Sequence, residues 1–336
     1  MVTRVLVVAP SWVGDAVLSQ PMFMRLHERI PELRIDVLAP AWVLPVFKRM
    51  PEVSLTIPSP FGHGDLKLFA RRQLGRQLGY RNYTRAIVLP NSFKSALVPW
   101  FAGIRARVGY RGEKRGWILT DCRELDEAKL PLMVERFAWL AQPGSTPLEV
   151  PVPMPRLRVD PVAREATITR LGLDATRPVV AFCPGAEYGP AKRWPKNHFA
   201  SLAQSLAALG KQIWLFGSGK DAEITAEIQR ESGGLCIDLA GKTSLEEAID
   251  LLSLAGHVIT NDSGLMHVAC GVGVSVIALY GSSSPGFTPP LSERAKTLWL
   301  KPECSPCFER VCPLGHFKCM NELSPRQVLT VINAGE

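Results

Sequence analysis

The sequence predicts an α/β protein made of two Rossmann-like, doubly wound domains. Three observations predict it. The chain has 336 residues, which suits two domains of about 150. Short apolar runs alternate with amphipathic runs, the pattern of parallel strands covered by helices on both faces. The alternation lapses once, between residues 142 and 178, and then resumes.

The first series opens with the strand "RVLVVAP" (4–10), the helix "AVLSQPMFMRLHERI" (16–30) and the strand "RIDVLAP" (34–40). Leu18, Met22, Leu26 and Ile30 recur at helical spacing and mark the buried face. A later strand, "RAIVLP" (85–90), runs into the loop "NSFKS" (91–95). Pro143, Pro147, Pro151, Pro153, Pro155, Pro161 and Pro178 then punctuate the chain, with Gly144-Ser145-Thr146 among them. That composition reads as a linker over 143–178 with one short helix at 162–171. It sets an N-terminal domain at 1–160 and a C-terminal domain at 175–336.

The second series is more regular. Strands "PVVAFCPG", "QIWLFG", "LCIDLAG", "HVITND" and "SVIALYG" alternate with helices "NHFASLAQSLAALG", "DAEITAEIQRES", "SLEEAIDLLSLAG" and "GLMHVACGVG". Two parallel sheets imply ligands at the carboxyl ends of their strands, in a cleft between the domains.

Hydrophobic residues make up 46% and charged residues 21%, a balance that supports a globular core. No apolar run reaches the roughly 18 residues of a membrane span, and the first residues read as a strand rather than a leader, so the expected location is the cytoplasm. The net charge is +8. Much of it lies in "RRQLGRQLGYRNYTR" (71–85) and "RARVGYRGEKRG" (105–116). Such runs are solvated surface or face an anionic partner, an acidic glycolipid or a membrane. No nucleic-acid motif accompanies them.

Four motifs carry chemistry. The stretch "VVAPSWVGDAVLSQ" has the strand–turn–helix form of a nucleotide loop but not its glycines. Gly14 is followed by Asp15, whose carboxylate would repel a phosphate. Asp15 is a helix cap, a chemical group, or both. In "TNDSGLMH", Asp262 or Ser263 can cap a helix that leaves the amides of Ser263, Gly264 and Leu265 facing outward, an anion site. His267 lies one turn further on. The loop "PGAEYGPAKRWP" brings Lys192 to the same sheet edge, where its charge can meet the same anion. In "FGSGKDAE" the P-loop pattern fails, because Trp214 and Asp221 stand where glycine and serine or threonine are required. Its acids, Asp221 and Glu223, suit ribose hydroxyls.

Four of the eight cysteines crowd the end, with the spacing Cys304-x2-Cys307-x4-Cys312-x6-Cys319. The first pair has zinc-knuckle spacing and the rest fits no standard pattern. A structural metal and free thiols both stay open. Cys183, Cys236 and Cys270 lie in apolar patterns and read as buried thiols.

Taken in order, "PSWVGDAVLSQ", "LPNSFKSALVPWFAG", "CPGAEYGPAKRWP", "TNDSGLMHVA" and "ALYGSSSPGFTPPLS" resemble the ADP-heptose:lipopolysaccharide heptosyltransferases over nearly the whole chain. The second and third stretches favour the branch that adds the second heptose over the branch that adds the first. The resemblance implies the GT-B glycosyltransferase fold, with acceptor in the N-terminal domain and ADP-heptose in the C-terminal domain. It implies that Asp15 is the general base of an inverting transfer and that Lys192 and the amides near Ser263 stabilise the leaving phosphate. There is no D-x-D motif, so no metal cofactor is expected to be obligatory. The implied acceptor is the anionic inner core of lipopolysaccharide at the inner face of the cytoplasmic membrane, with the protein peripheral to it. Lys94, Arg105, Arg107, Arg111, Lys114 and Arg115 are the candidates for holding that acceptor. The neighbouring "ALVPWFAG" packs in the core or touches lipid. Transfer to an acceptor without heptose, and a nucleotide-binding protein without transferase activity, are the alternatives.

Overall fold

The computed structural model describes residues 2–62 and 64–334. The chain separates into two compact units, divided between Pro155 and Arg156.

The first unit is built on six strands: β1 (Thr3–Val8), β2 (Leu33–Pro40), β3 (Val53–Ser59), β4 (Arg85–Val88), β5 (Ala106–Tyr110) and β6 (Asp121–Arg123). They pair in the order β3-β2-β1-β4-β5-β6, every pair parallel. Central strands covered on both faces need unbroken apolar runs, and Val5, Leu6 and Val7 of β1 are fully buried. The helical run expected at 16–30 is divided. One helix covers Val13–Leu18 and another Gln20–Arg29. Pro21 has no N–H to continue the first helix, and the Ser19 hydroxyl donates to the Ala16 carbonyl at the break, 2.7 Å away. Leu18, Met22 and Leu26 are buried as the spacing requires.

The second unit repeats the plan with β7 (Val179–Cys183), β8 (Gln212–Leu215), β9 (Cys236–Asp238), β10 (Ala255–Asn261), β11 (Ser275–Tyr280) and β12 (Ala295–Trp299). The order is β12-β11-β10-β7-β8-β9, again all parallel. Numbered within its own unit, each sheet has the strand order 3-2-1-4-5-6 of a dinucleotide-binding fold. Phe182, Leu215, Ile259 and Ile277 meet Phe199 and Leu202 in the core, and Val328 and Ile332 of the last helix close it.

The proline-rich connector is narrower than 143–178. Arg25 donates to the Pro151 carbonyl at 2.6 Å, and Glu149 pairs with Arg25 and Arg29, so this stretch lies on the first unit. The Leu157 amide donates to Gly271 at 2.8 Å and the Asp160 amide to Asp250 at 2.8 Å, so the chain beyond lies on the second. The helix Pro161–Leu171 starts at an Asp160 cap and stops at Gly172, whose φ of 63° suits a residue without Cβ.

Candidate active site

In the second unit, β7 and β10 are neighbours with Cys183 opposite Thr260. The loops that follow them therefore leave the same sheet edge. Asn261 joins the two. Its side-chain amide donates to the Pro184 carbonyl at 2.7 Å and its oxygen accepts from the Trp194 amide at 3.0 Å. This fully buried asparagine holds the ends of the loop that carries Lys192. Sequence reasoning missed it, because its only sign is a polar residue closing an apolar strand.

Lys192 ends a short turn, Pro190–Lys192. Its ammonium donates to Asp262 Oδ2 at 2.6 Å and lies 5.1 Å from the ring centre of Tyr188. Asp262 is buried and also accepts from the Thr288 hydroxyl at 3.4 Å. It is thus not the cap of the next helix, Gly264–Gly271. Ser263 occupies that position and makes no side-chain cap. The carboxylate is held by the lysine, and no side chain caps the first amides of the helix. His267 is buried on this helix. Burial depresses its pKa to about 4; Asp262 opposes the shift and Lys192 adds to it. The imidazole is neutral at pH 7, and its Nδ1 has no hydrogen-bond partner among the described residues.

The two acids after β8 have different surroundings. Asp221 accepts from the Ser218 amide and hydroxyl at 2.9 and 2.8 Å, closing a capping box. It also packs against Gly185 and Gly217, where any Cβ would run into its carboxylate. Asp221 is therefore a loop clamp, and the ribose expectation is corrected there. Glu223 is exposed in the first turn of helix Ala222–Glu231.

In the first unit, β1 and β4 are parallel neighbours, with Val8 opposite Val88. The loops bearing Asp15 and Lys94 open at one edge. Asp15 is the third residue of its helix. The cap is Trp12, so the capping alternative for Asp15 is overturned. Asp15 is instead an acid in the first turn, at the positive end of the helix. Trp42 donates to the Ser11 carbonyl at 2.9 Å and steadies this loop. Lys94 lies in the turn Phe93–Ala96.

The six basic candidates divide. Arg115 is fully buried. It donates to Pro90, to Tyr110 at 2.7 and 3.0 Å, to the Ser95 hydroxyl at 3.0 Å and to Asn91 at 3.2 Å. Burial lowers its pKa to about 10. Arg107 is half-buried and donates to the carbonyls of Ile104 and Ile118. Both are corrected from acceptor ligands to backbone clamps. Arg115 shapes the very loop that presents Lys94. Arg111 forms a solvent-exposed pair with Glu124 at 3.2 Å. Arg105 and Lys114 are exposed. Arg105 precedes β5, at the amino-end edge of the parallel sheet and opposite the edge of Asp15 and Lys94, so it is corrected as an acceptor ligand. A cavity of about 840 Å3 in this unit is lined by Arg29, Arg85, Arg123 and Trp139 among others, and neither Asp15 nor Lys94 lines it.

The four C-terminal cysteines are free thiols that line one small cavity of about 50 Å3 with His316. Among the described residues, no three or more His, Cys, Asp or Glu side chains are grouped to hold a metal ion. The structural-metal expectation is unsupported. The His316 Nδ1 accepts from the Lys318 amide at 3.0 Å. Burial would raise the Cys312 thiol, but the amides of Phe317, Leu314, Gly315 and His316 donate to its sulfur and hold its pKa below the ordinary value. Cys183, Cys236 and Cys270 are buried, as read from their apolar settings.

Residues 71–318 match glycosyltransferase family 9 (heptosyltransferase). The chain belongs to glycosyltransferase family 9. This family 9 chain is similar to lipopolysaccharide heptosyltransferase 2 of Escherichia coli K12, at 46% identity over 98% of each chain. It is 44% identical to the Salmonella typhimurium protein of the same name, again over 98% of each. A solved E. coli ADP-heptose lipopolysaccharide heptosyltransferase II superimposes with a TM-score of 0.89 at 43% identity, over 99% of this chain and 98% of that one. The family 9 chain is therefore a glycosyltransferase with the α/β, two-Rossmann-domain GT-B fold that the sequence predicts. Among its described residues no helix is long and apolar enough to cross a membrane.

Proposed function

We propose that this protein moves L-glycero-D-manno-heptose from ADP-heptose to the first heptose of the lipopolysaccharide inner core, with inversion at the anomeric carbon. The observation that carries the reading is the 46% identity, end to end, with a protein named lipopolysaccharide heptosyltransferase 2. The two sheet edges supply the chemistry.

Donor binds in the second unit and acceptor in the first. Asp15 takes the proton from the acceptor hydroxyl as its oxygen attacks the anomeric carbon. The bond to the β-phosphate oxygen breaks and its electrons stay on ADP. Lys192 has three protons and Asp262 uses one, so the ammonium can still donate to the departing phosphate. The amides of Ser263, Gly264 and Leu265 share that charge. Each well-placed donor of this kind contributes about 3 kcal/mol to the transition state. His267, neutral, adds no charge to repel or compete. Glu223 is the acid left to bind the ribose hydroxyls. Lys94, Arg111 and Lys114 hold the phosphates and acidic sugars of the acceptor. That acceptor lies at the inner face of the cytoplasmic membrane, and the protein works in the cytoplasm, peripheral to that membrane.

The test is ADP release from ADP-heptose with two acceptors, a core bearing one heptose and a core without it. Release is expected with the first alone. Asp15→Asn should reduce it by several orders of magnitude and leave ADP affinity unchanged. Preference for the heptose-free core would reassign the acceptor, and release with neither would overturn the reading.

A further inference from the structure

The first unit exposes an aromatic and basic surface that the transfer chemistry does not use. Three rings from three separate segments meet on it. Trp117 lies 5.7 Å from Trp100, edge to face, and 6.1 Å from Phe93. Trp117 is 65% exposed and Trp100 40%. Leu97 and Val98 bury the helix Leu97–Phe101 from beneath, and buried Arg115 fixes the turn before Trp117.

The surface continues onto a second apolar edge. Buried Arg71 donates to the Lys94 carbonyl at 3.0 Å and to the Leu66 carbonyl at 2.7 Å. One guanidinium therefore ties the turn of Phe93 to the segment of Leu66, Leu68 and Phe69, all exposed, Phe69 by 84%. Arg72 and Arg76 are exposed on the helix that follows. Exposed apolar clusters of this size on a folded unit mark an interaction site.

Charge indicates what covers it. On the segments that carry these rings Lys67, Arg72, Arg76 and Lys114 are exposed, against two acids, Asp65 and Glu113, whereas Arg71 and Arg115 are buried on backbone carbonyls. Two copies of this surface would repel each other. An anionic bilayer attracts the arginines and accepts indole rings at its headgroup level.

We propose that this surface docks the protein on an anionic phospholipid bilayer, with Trp100, Trp117 and Phe69 in the headgroup layer and Arg72 and Arg76 on lipid phosphates. The proposal rests on the reading that the acceptor is membrane-borne, and it assigns the face that meets that membrane. Within "ALVPWFAG", Leu97, Val98 and Pro99 pack inward and Trp100 is exposed.

The experiment is co-sedimentation with vesicles of phosphatidylglycerol and phosphatidylcholine, against vesicles of phosphatidylcholine alone. The wild type should bind the anionic vesicles and lose them with added salt. The double variant Trp100→Ser/Trp117→Ser should partition at least about tenfold more weakly. Its turnover on a soluble, delipidated core acceptor should equal wild type, while its KM for acceptor embedded in vesicles rises. Arg72→Gln/Arg76→Gln, which changes two exposed side chains, should weaken anionic binding and flatten the salt dependence. It serves if the tryptophan variant does not fold. Equal vesicle binding by wild type and both double variants would overturn the proposal, as would a wild type that ignores anionic vesicles. A wild-type dimer that the tryptophan changes dissolve, without vesicle binding, would make this a self-association face instead. Absence of transfer to either acceptor tells against the heptosyl reading and leaves the vesicle result standing.

Discussion

Lys192 and Asp262 form a close ion pair near the buried His267. The lysine–aspartate pair is mostly buried, so removing one member strands the other. Lys192→Ala should cost about 3–5 kcal/mol of stability, weaken ADP binding and lower kcat, because the cation acts on bound and departing phosphate alike. Denaturant titration and ADP calorimetry check both effects, and unchanged ADP affinity would remove Lys192 from the donor site. His267 gives a pH signature. Its folded pKa is about 4, against about 6.5 in an unfolded chain. Between those values the unfolded chain binds a proton that the native chain does not. The stability contribution is thus complete above pH 6.5 and falls as pH drops toward 4, by about 1.4 kcal/mol per unit. His267→Gln should flatten that part of the stability curve, measured by urea unfolding at pH 7, 6 and 5. Parallel wild-type and variant curves would contradict the buried neutral imidazole.

The elements that carry these residues depend on small polar fixtures. Asn261→Ala would leave the Pro184 carbonyl and the Trp194 amide unpaired at a buried junction. A loss of about 1–3 kcal/mol is expected for each stranded group, along with weaker ADP binding although Lys192 is intact. Normal ADP affinity in Asn261→Ala would show that the loop holds its shape without the asparagine. The sequence makes some of this legible and conceals the rest for physical reasons. Central strands such as β1 and β7 are apolar throughout, because both faces are covered, and they stand out. β3 is an edge strand containing Pro58, and β6 has only three residues, so neither shows a pattern. Asp15, Lys192 and the Asp262–His267 stretch are legible because loop position follows from strand order. Arg107 and Arg115 are not, since a guanidinium folded onto backbone carbonyls reads as surface charge in sequence. Asp221 is misleading in the same way: its acidity serves the loop on which it sits.

Across the whole molecule, charge is unevenly divided, and the excess lies on the first unit. This separates the two substrates by their response to salt. Raising ionic strength should increase the acceptor KM and leave the donor KM nearly flat, because exposed charges are screened and the buried lysine is not. Arg111→Ala/Lys114→Ala should raise the acceptor KM at low salt and blunt its salt dependence. Each exposed contact contributes about 1 kcal/mol or less. Initial-rate measurements at several salt concentrations decide it. A donor KM that climbs while the acceptor KM stays constant would exchange the ligands of the two units.

On the proposed reading, the Lys192–Asp262 contact would also act as a discriminator. In the resting protein a buried carboxylate takes one of the three ammonium protons and offsets part of the charge that an incoming anion meets. A neutral nucleoside gains nothing from what remains, and adenosine should bind far more weakly than ADP, with AMP between them. The same pairing matters after turnover. As ADP leaves, the carboxylate still holds the lysine, so product departure would leave an internal pair rather than a bare cation to be hydrated. An Asp262→Asn protein should therefore hold ADP longer than wild type, with slower release visible in stopped-flow displacement even as its equilibrium affinity improves.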